Sequence, residues 1–490
     1  MRYDNILYAI GTWKIEEALE LIEKLPADDY MRYPLLSLAY DKRDENEKAI
    51  ACAEKGIELG KNSENLEIIL ASLASRAYTL WRTGENEKID KTFSDFIAYY
   101  EVSKETPEHD RWYAMIQHVR GTILYEMGEY DESLKSFKIA LYLRKELKDI
   151  IGQATSDNNL GLLYYNIGEY NRSLEHLMAS VENEVILGNQ KGLAITYSNI
   201  ADVHRAVGEY DLALKFMNMA LETHQKYPLS AHYEALIYKN LAKIYRLKGD
   251  SETAHSCIQH SLNLELPLEN RYRLMETLYL MIIIDLERGE RAEAELLLRT
   301  MKELGPFEKN TAISFFYRIA EASVVMSENR LRSKLKAQEM FEEILKDDPR
   351  NYDLYIHTVL SLVELLFLEL QSYDNPELMN QVKLIVQQIE TIANSQNSTP
   401  LQVEALLLKS QVSLVELKMN ETFEILDKVK EICLENDFNM LYNKAEGIQK
   451  NLEEEIDKWN NLSHSNAPLF KRISESNIMD YLRMVGKIIN

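Results

Sequence analysis

The sequence predicts an all-α chain, a solenoid of antiparallel helix hairpins. Three observations carry this. Glycine (17) and proline (10) are scarce among the 490 residues, well under the roughly 12% of average usage, which argues against a turn-rich β-sandwich or propeller. Gly128-Glu-Tyr130, Gly168-Glu-Tyr170 and Gly208-Glu-Tyr210 recur in steps of 40, and Gly249-Asp250 and Gly289-Glu290 continue the series. Apolar residues around each glycine fall three to four apart, which puts one apolar stripe on each of two helices per unit. The chain is too long for a single hydrophobic core, and its 46% apolar content with 29 tyrosines argues against disorder.

In chain order, 6–11 and 16–25 read as a shortened first hairpin. Residues 35–40 and 49–50 open the next, with Asp44 in the place of the turn glycine, and 73–84 with 91–100 form a third. The regular units span 112–305. Apolar runs precede their glycines at 121–125, 160–165, 200–204 and 241–245. After the glycine comes a small residue, Ser133, Ser173, Ala213 or Ala254. A leucine follows it in the first three, Leu134, Leu174 and Leu214, whereas Ala254 stands alone. A glycine closing the first helix can take positive φ and turn the chain. The small residue lets the two helix backbones approach. Pro228, Pro267, Pro306 and Pro349 fall between units, where they end one hairpin before the next begins.

Weaker copies continue at 315–326 with 336–345, at 354–370 with 378–392, and at 401–417 with 422–436. Residues 442–459 read as a last solenoid helix. Residues 461–477 read as a linker, followed by a short amphipathic helix with Ile478, Tyr481, Leu482, Val485 and Ile489 on one side. The expected organisation is therefore 1–111, divergent N-terminal hairpins; 112–305, clear repeats; 306–460, divergent C-terminal hairpins; and 461–490, linker plus terminal helix.

These residues resemble the tetratricopeptide repeat, whose Leu-Gly-x-x-Tyr pattern stands best at Leu160, Gly161 and Tyr164. The Gly-Glu-Tyr turn and the 40-residue length are similar to the longer repeats of kinesin light chains and of spindle-orientation scaffolds. Two departures stand out. No proline follows Leu187, and the helix-A tryptophan never appears in register. The resemblance implies a right-handed superhelical solenoid, with the first helix of each hairpin lining a concave groove that holds a partner protein or peptide.

Lys and Arg total 56 against 79 Asp and Glu, a net charge of −23. Such a chain repels a phosphate backbone, so nucleic acid is not an expected partner. Cys52, Cys257 and Cys433 lie far apart and include no CxxC, which points to a reducing compartment. The most apolar runs, 279–284 and 358–370, are too short for a membrane span. The first residues are too interrupted for a signal peptide, and a cytoplasmic location is expected.

No reaction is expected. There is no GxxxxGK, GxGxxG, HExxH or GxSxG pattern, and neither a cofactor nor a metal is expected. His255 and His260 are five apart, off a common helical face, and packing or surface roles are assigned to the histidines.

The candidate binding residues follow from register. Asn159, Asn199 and Asn240 each sit nine positions before a turn glycine. The resemblance places such asparagines in the groove, bonded to the backbone of an extended peptide. An amide offers both a donor and an acceptor, matching a peptide's own N–H and C=O. The alternative use of these asparagines is to brace neighbouring helices. Tyr165, Asp202, Arg205, Lys239, Lys243 and Arg246 fall on the same face, so the groove is expected to be locally basic and an acidic segment is a candidate guest.

The expected function is a non-enzymatic scaffold that binds a partner peptide. The alternative is a peptide-responsive regulator, similar to bacterial repeat sensors. The tail, with Lys471, Arg472, Arg483 and Lys487 against Glu475 and Asp480, either caps the solenoid or folds into the groove.

Overall fold

The computed structural model describes residues 3–83, 86–102, 107–268, 270–305, 311–347, 349, 351–371, 375–395, 399–435, 439–476 and 478. Among the described residues there are twenty-five α-helices and no strand. The N-terminal hairpins comprise α1 (Asp4–Gly11), α2 (Ile15–Glu23), α3 (Arg32–Lys42), α4 (Asn46–Asn62), α5 (Leu66–Thr83) and α6 (Asn86–Val102). The regular units run through α7 (Pro107–Glu126), α8 (Tyr130–Glu146), α9 (Ile150–Asn166), α10 (Tyr170–Leu187), α11 (Gln190–Ala206), α12 (Tyr210–Lys226), α13 (Ala231–Leu247), α14 (Ser251–Glu265), α15 (Arg271–Arg288) and α16 (Arg291–Glu303). After them come α17 (Thr311–Met326), α18 (Leu331–Lys346), α19 (Tyr352–Leu370), α20 (Pro376–Ser395), α21 (Thr399–Val415) and α22 (Met419–Glu435). The chain continues with α23 (Asn439–Glu454), α24 (Ile456–His464) and α25 (Leu469–Glu475).

The turn glycines behave as their spacing predicts. Gly128, Gly168, Gly208, Gly249 and Gly289 all have positive φ, between 79° and 86°. Asp44 holds the same conformation at φ 60° in the α3–α4 turn. The small residues let helices touch. Ser133 Oγ donates to the Gly121 carbonyl and Ser173 Oγ to the Gly161 carbonyl, each at 2.7 Å. Ala213, Ala254 and Ala294 are fully buried at the equivalent positions. Each hairpin thus presents an apolar stripe that the next hairpin covers.

The superhelix closes on itself. Near its start, Tyr8 Oη donates to the Leu187 carbonyl at 3.0 Å and Trp13 packs edge-on to Tyr233 with centroids 5.9 Å apart. Further along, at the start of α19, Asn351 Nδ2 donates to Asn166 Oδ1 at 2.6 Å. The first hairpin and the start of α19 therefore both reach the middle repeats.

The tail differs from its sequence reading. Much of 461–475 is helix, α24 running into this stretch and α25 following, rather than linker, because Leu469 and Ile473 find an apolar surface. With Ile478 they join the main core, α25 packs on α19 and α21, and Arg472 donates to the Val415 carbonyl at 2.9 Å. Tyr481, Leu482, Val485 and Ile489 lie outside the described residues, as does Pro306. The helix expected over 442–459 is two, α23 and α24, meeting at Glu455.

Candidate functional site

Inside the closed superhelix lies a cavity of about 860 Å³, near the top of the 300–1,000 Å³ range of ligand sites. The first helices of the regular hairpins form its wall: α7, α9, α11, α13 and α15, joined by α1, α3, α5 and the start of α19. Local capping fixes where these helices start. Asp149 accepts from the Gly152 N–H and Asn189 from the Gly192 N–H, so α9 and α11 begin at matching places. Gly152 and Gly192 then leave room that a side chain would fill. A Cβ on Gly192 would meet the Glu184 carboxyl at 2.3 Å, and one on Gly152 would meet Arg144 Cδ at 2.6 Å.

The predicted asparagines reach this wall. Asn159, Asn199 and Asn240 all line the cavity. Two of them also brace helices: Asn199 Nδ2 donates to Asn158 Oδ1 at 2.9 Å, and Asn240 Nδ2 donates to the Ser198 carbonyl and Oγ at 3.2 Å. The amide row therefore has a structural job between α9, α11 and α13.

Tyr165, Asp202, Lys239 and Lys243 line the cavity as well. The charges expected to leave it basic are neutralised. Lys239 Nζ is 2.5 Å from Glu276 and 3.9 Å from Glu265, and Lys243 Nζ is 3.7 Å from Asp202 and 3.9 Å from Glu276. Glu276 stands on α15 and Glu265 on α14, beyond the repeats from which the charge of this face was read. Arg205 and Arg246 depart from the expectation: neither is among the cavity's lining residues. Arg205 is drawn into a buried cluster, with Nε 2.6 Å from Asp202, Nη2 3.6 Å from Asp353, and Tyr165 Oη beside it. Arg246 forks onto Glu287 at 2.8 and 2.5 Å.

These pairs set the charge states. Burial opposes ionisation of Asp202 and Glu276, yet the adjacent cations outweigh it and hold both carboxyls below their ordinary values. For two other acids burial outweighs the neighbouring cation, Arg273 beside Glu126 and Lys42 beside Glu184. Burial pushes Glu126 and Glu184 up to about 7. Both line the cavity, and register singles out neither. Sequence reading also missed the N-terminal contribution, where Lys42 Nζ sits 4.5 Å from the Trp13 ring centroid and 5.5 Å from that of Tyr78. Nothing in local spacing brings Trp13 to Tyr233; only closure of the superhelix does.

The cavity is thus walled by amides and paired charges. Among the described residues no helix is long and apolar enough to cross a membrane. No curated protein matches the chain. Residues 192–264 match the tetratricopeptide repeat family. Among solved structures, NprR in complex with its cognate peptide NprX aligns with a TM-score of 0.53 at 15% identity, over 74% of this chain and 98% of that one. Two weaker likenesses are a Rap protein complexed with competence and sporulation factor (TM-score 0.45, 14% identity, 85% of this chain and 99% of that one) and BtubC of P. vanneervenii (0.36, 17%, 46% and 92%). Residues 192–264 are thus tetratricopeptide repeat by the family match, and the helical-hairpin fold with its regular turns extends the same type of architecture to the neighbouring units.

Proposed function

We propose that this chain is a non-enzymatic interaction protein that encloses a short extended peptide in its central cavity. The observation that carries this is a cavity of about 860 Å³ walled by Asn158, Asn159, Asn199 and Asn240. Side-chain amides there match the repeating donors and acceptors of a peptide backbone without selecting side chains. An acidic segment is the finer version of this reading. Its carboxylates would compete with Glu276 and Asp202 for Lys239 and Lys243.

Thr155 lines the cavity and is solvent-exposed, so Thr155→Trp fills the lumen without disturbing the core. Peptides from a cell extract are passed over the immobilised full chain and identified by mass spectrometry. Wild type is expected to retain a defined set of short peptides, and Thr155→Trp to lose it. Equal retention by both proteins sinks the proposal.

A second reading, a peptide-responsive regulator, is favoured by the likeness to NprR, which was solved with its cognate peptide. The first hairpin and the start of α19 both touch the repeats that wall the cavity, so a guest would change how tightly these contacts close. A retained peptide that leaves the small-angle scattering curve unchanged favours the scaffold; one that shifts it favours the regulator.

A further inference from the structure

A second cluster lies away from the cavity, at the seam between α14 and the α15–α16 turn. His255 Nε2 is 3.3 Å from Asp285 Oδ1. With Glu290 these residues bring one nitrogen and two carboxylate oxygens within 4.8 Å of one another.

The repeat register shows that the cluster is a local departure. His255 stands where the preceding hairpins carry Leu134, Leu174 and Leu214. Asp285, four residues before its turn glycine, stands where they carry Leu124, Tyr164, His204 and Tyr245. Leu134 and Tyr164 pack in one apolar cluster. Both partners of that contact are polar in this one unit, a linked exchange that packing alone does not call for. Glu290 holds the usual acidic place after the glycine. In an earlier unit that acid, Glu209, faces His204 at 2.5 Å. Here it shares its site with a second carboxylate.

Asp285 is the independent sign of a ligand. Its side chain is fully buried, and neither carboxylate oxygen has a hydrogen-bond partner among the described residues. Leaving such a group uncompensated is costly. His255 and Glu290 are 28% and 36% exposed, so the cluster opens to solvent on one side.

We propose that His255, Asp285 and Glu290 form a Zn²⁺ site that staples α14 to the α15–α16 turn, with water as the fourth ligand. An imidazole with two carboxylates suits Zn²⁺, whereas Mg²⁺ and Ca²⁺ prefer all-oxygen shells. Bonds of about 2.0–2.2 Å place tetrahedral ligands roughly 3.4 Å apart. The His255–Asp285 pair is already at that spacing, and the long Glu290 side chain closes the rest. Arg288 donates to Glu290 at 3.0 and 2.8 Å and would orient the ligating carboxylate from outside. This site is independent of what occupies the cavity.

The test uses the full chain, stripped with a chelator and titrated with ZnCl₂ against a chromophoric indicator. Wild type is expected to bind one tight equivalent that raises its melting temperature. His255→Leu restores the leucine of the other units and is expected to abolish that equivalent while folding normally by circular dichroism. Asp285→Asn keeps the shape and is expected to weaken binding at least tenfold. The proposal is overturned if wild type binds no tight equivalent, or if that equivalent survives both substitutions.

Discussion

Tyr165 Oη donates to the Asp353 carboxylate at 3.0 Å, although 188 residues separate the two. Arg205 completes the bridge from α11, so α9, α11 and the start of α19 meet in one buried polar cluster. The cluster closes the superhelix beside the cavity. Tyr165→Phe removes the donor and should cost about 1.5–3 kcal/mol, the range for a hydrogen bond to a charged group. The expected signature is a larger radius of gyration by small-angle X-ray scattering. A scattering curve that superimposes on wild type would show that the ring closes without this bridge.

Glu126 and Glu184 give the cavity wall a pH dependence. Burial holds each carboxyl at about 7 against an ordinary 4.5. The folded chain therefore binds these protons more tightly than the unfolded one. The stability from this source is full below pH 4.5 and is lost as pH rises through about 7. At about 1.4 kcal/mol per unit the effect is on the order of 3 kcal/mol for each group. His118 and His232 act in the opposite sense. Burial holds both well below 6.5, so their share is lost as pH falls through 6.5. A raw melting curve mixes the two. The difference between wild type and Glu126→Gln/Glu184→Gln isolates the acids: the variant should melt higher above pH 7 and match wild type below pH 4.5.

The turns and the contacts beneath them separate two kinds of glycine. A Cβ on Gly161 would lie 2.6 Å from Leu177 Cγ and 3.1 Å from the Ser173 carbonyl oxygen. Gly161→Ala thus overpacks the α9–α10 contact, at about 1–3 kcal/mol. Gly249 has open space around it and only its φ of +80° to satisfy. Gly249→Ala should cost about 1–2 kcal/mol, and Asp44 already adopts positive φ in the equivalent α3–α4 turn. Hydrogen exchange should show faster opening of α9 and α10 in Gly161→Ala, and a change confined to the α13–α14 turn in Gly249→Ala.

Helices, turns and the inner face were legible because each depends on neighbours within one unit. The turn glycines gave the hairpins, and nine positions before them lay Asn159, Asn199 and Asn240 on the cavity wall. Charge state was not legible. Lys239 reads as a free cation until Glu276 arrives from α15, and Arg246 until Glu287 does. Glu126 and Glu184 look like two of 79 acids, and only burial distinguishes them. The contacts of Tyr8 with Leu187 and of Trp13 with Tyr233 arise when the first hairpin meets the middle repeats. No spacing within a repeat encodes that meeting.

The tail supplies the last prediction. Leu469, Ile473 and Ile478 are buried in the main core, α25 packs on α19 and α21, and Lys458 donates to the Glu475 carbonyl at 3.1 Å. None of these residues lines the cavity. The described part of the tail therefore lies across α19 and α21, the first helices of two hairpins, and shields their apolar surface away from the cavity. Ile473→Ala should cost about 2–5 kcal/mol, as for other fully buried aliphatic side chains. Deletion of 465–490 should lower the melting temperature and produce self-association visible by light scattering. Peptide retention should not change, because the cavity wall stays intact. Tighter peptide retention by the truncated chain would instead mean that the terminal residues had been competing for the cavity.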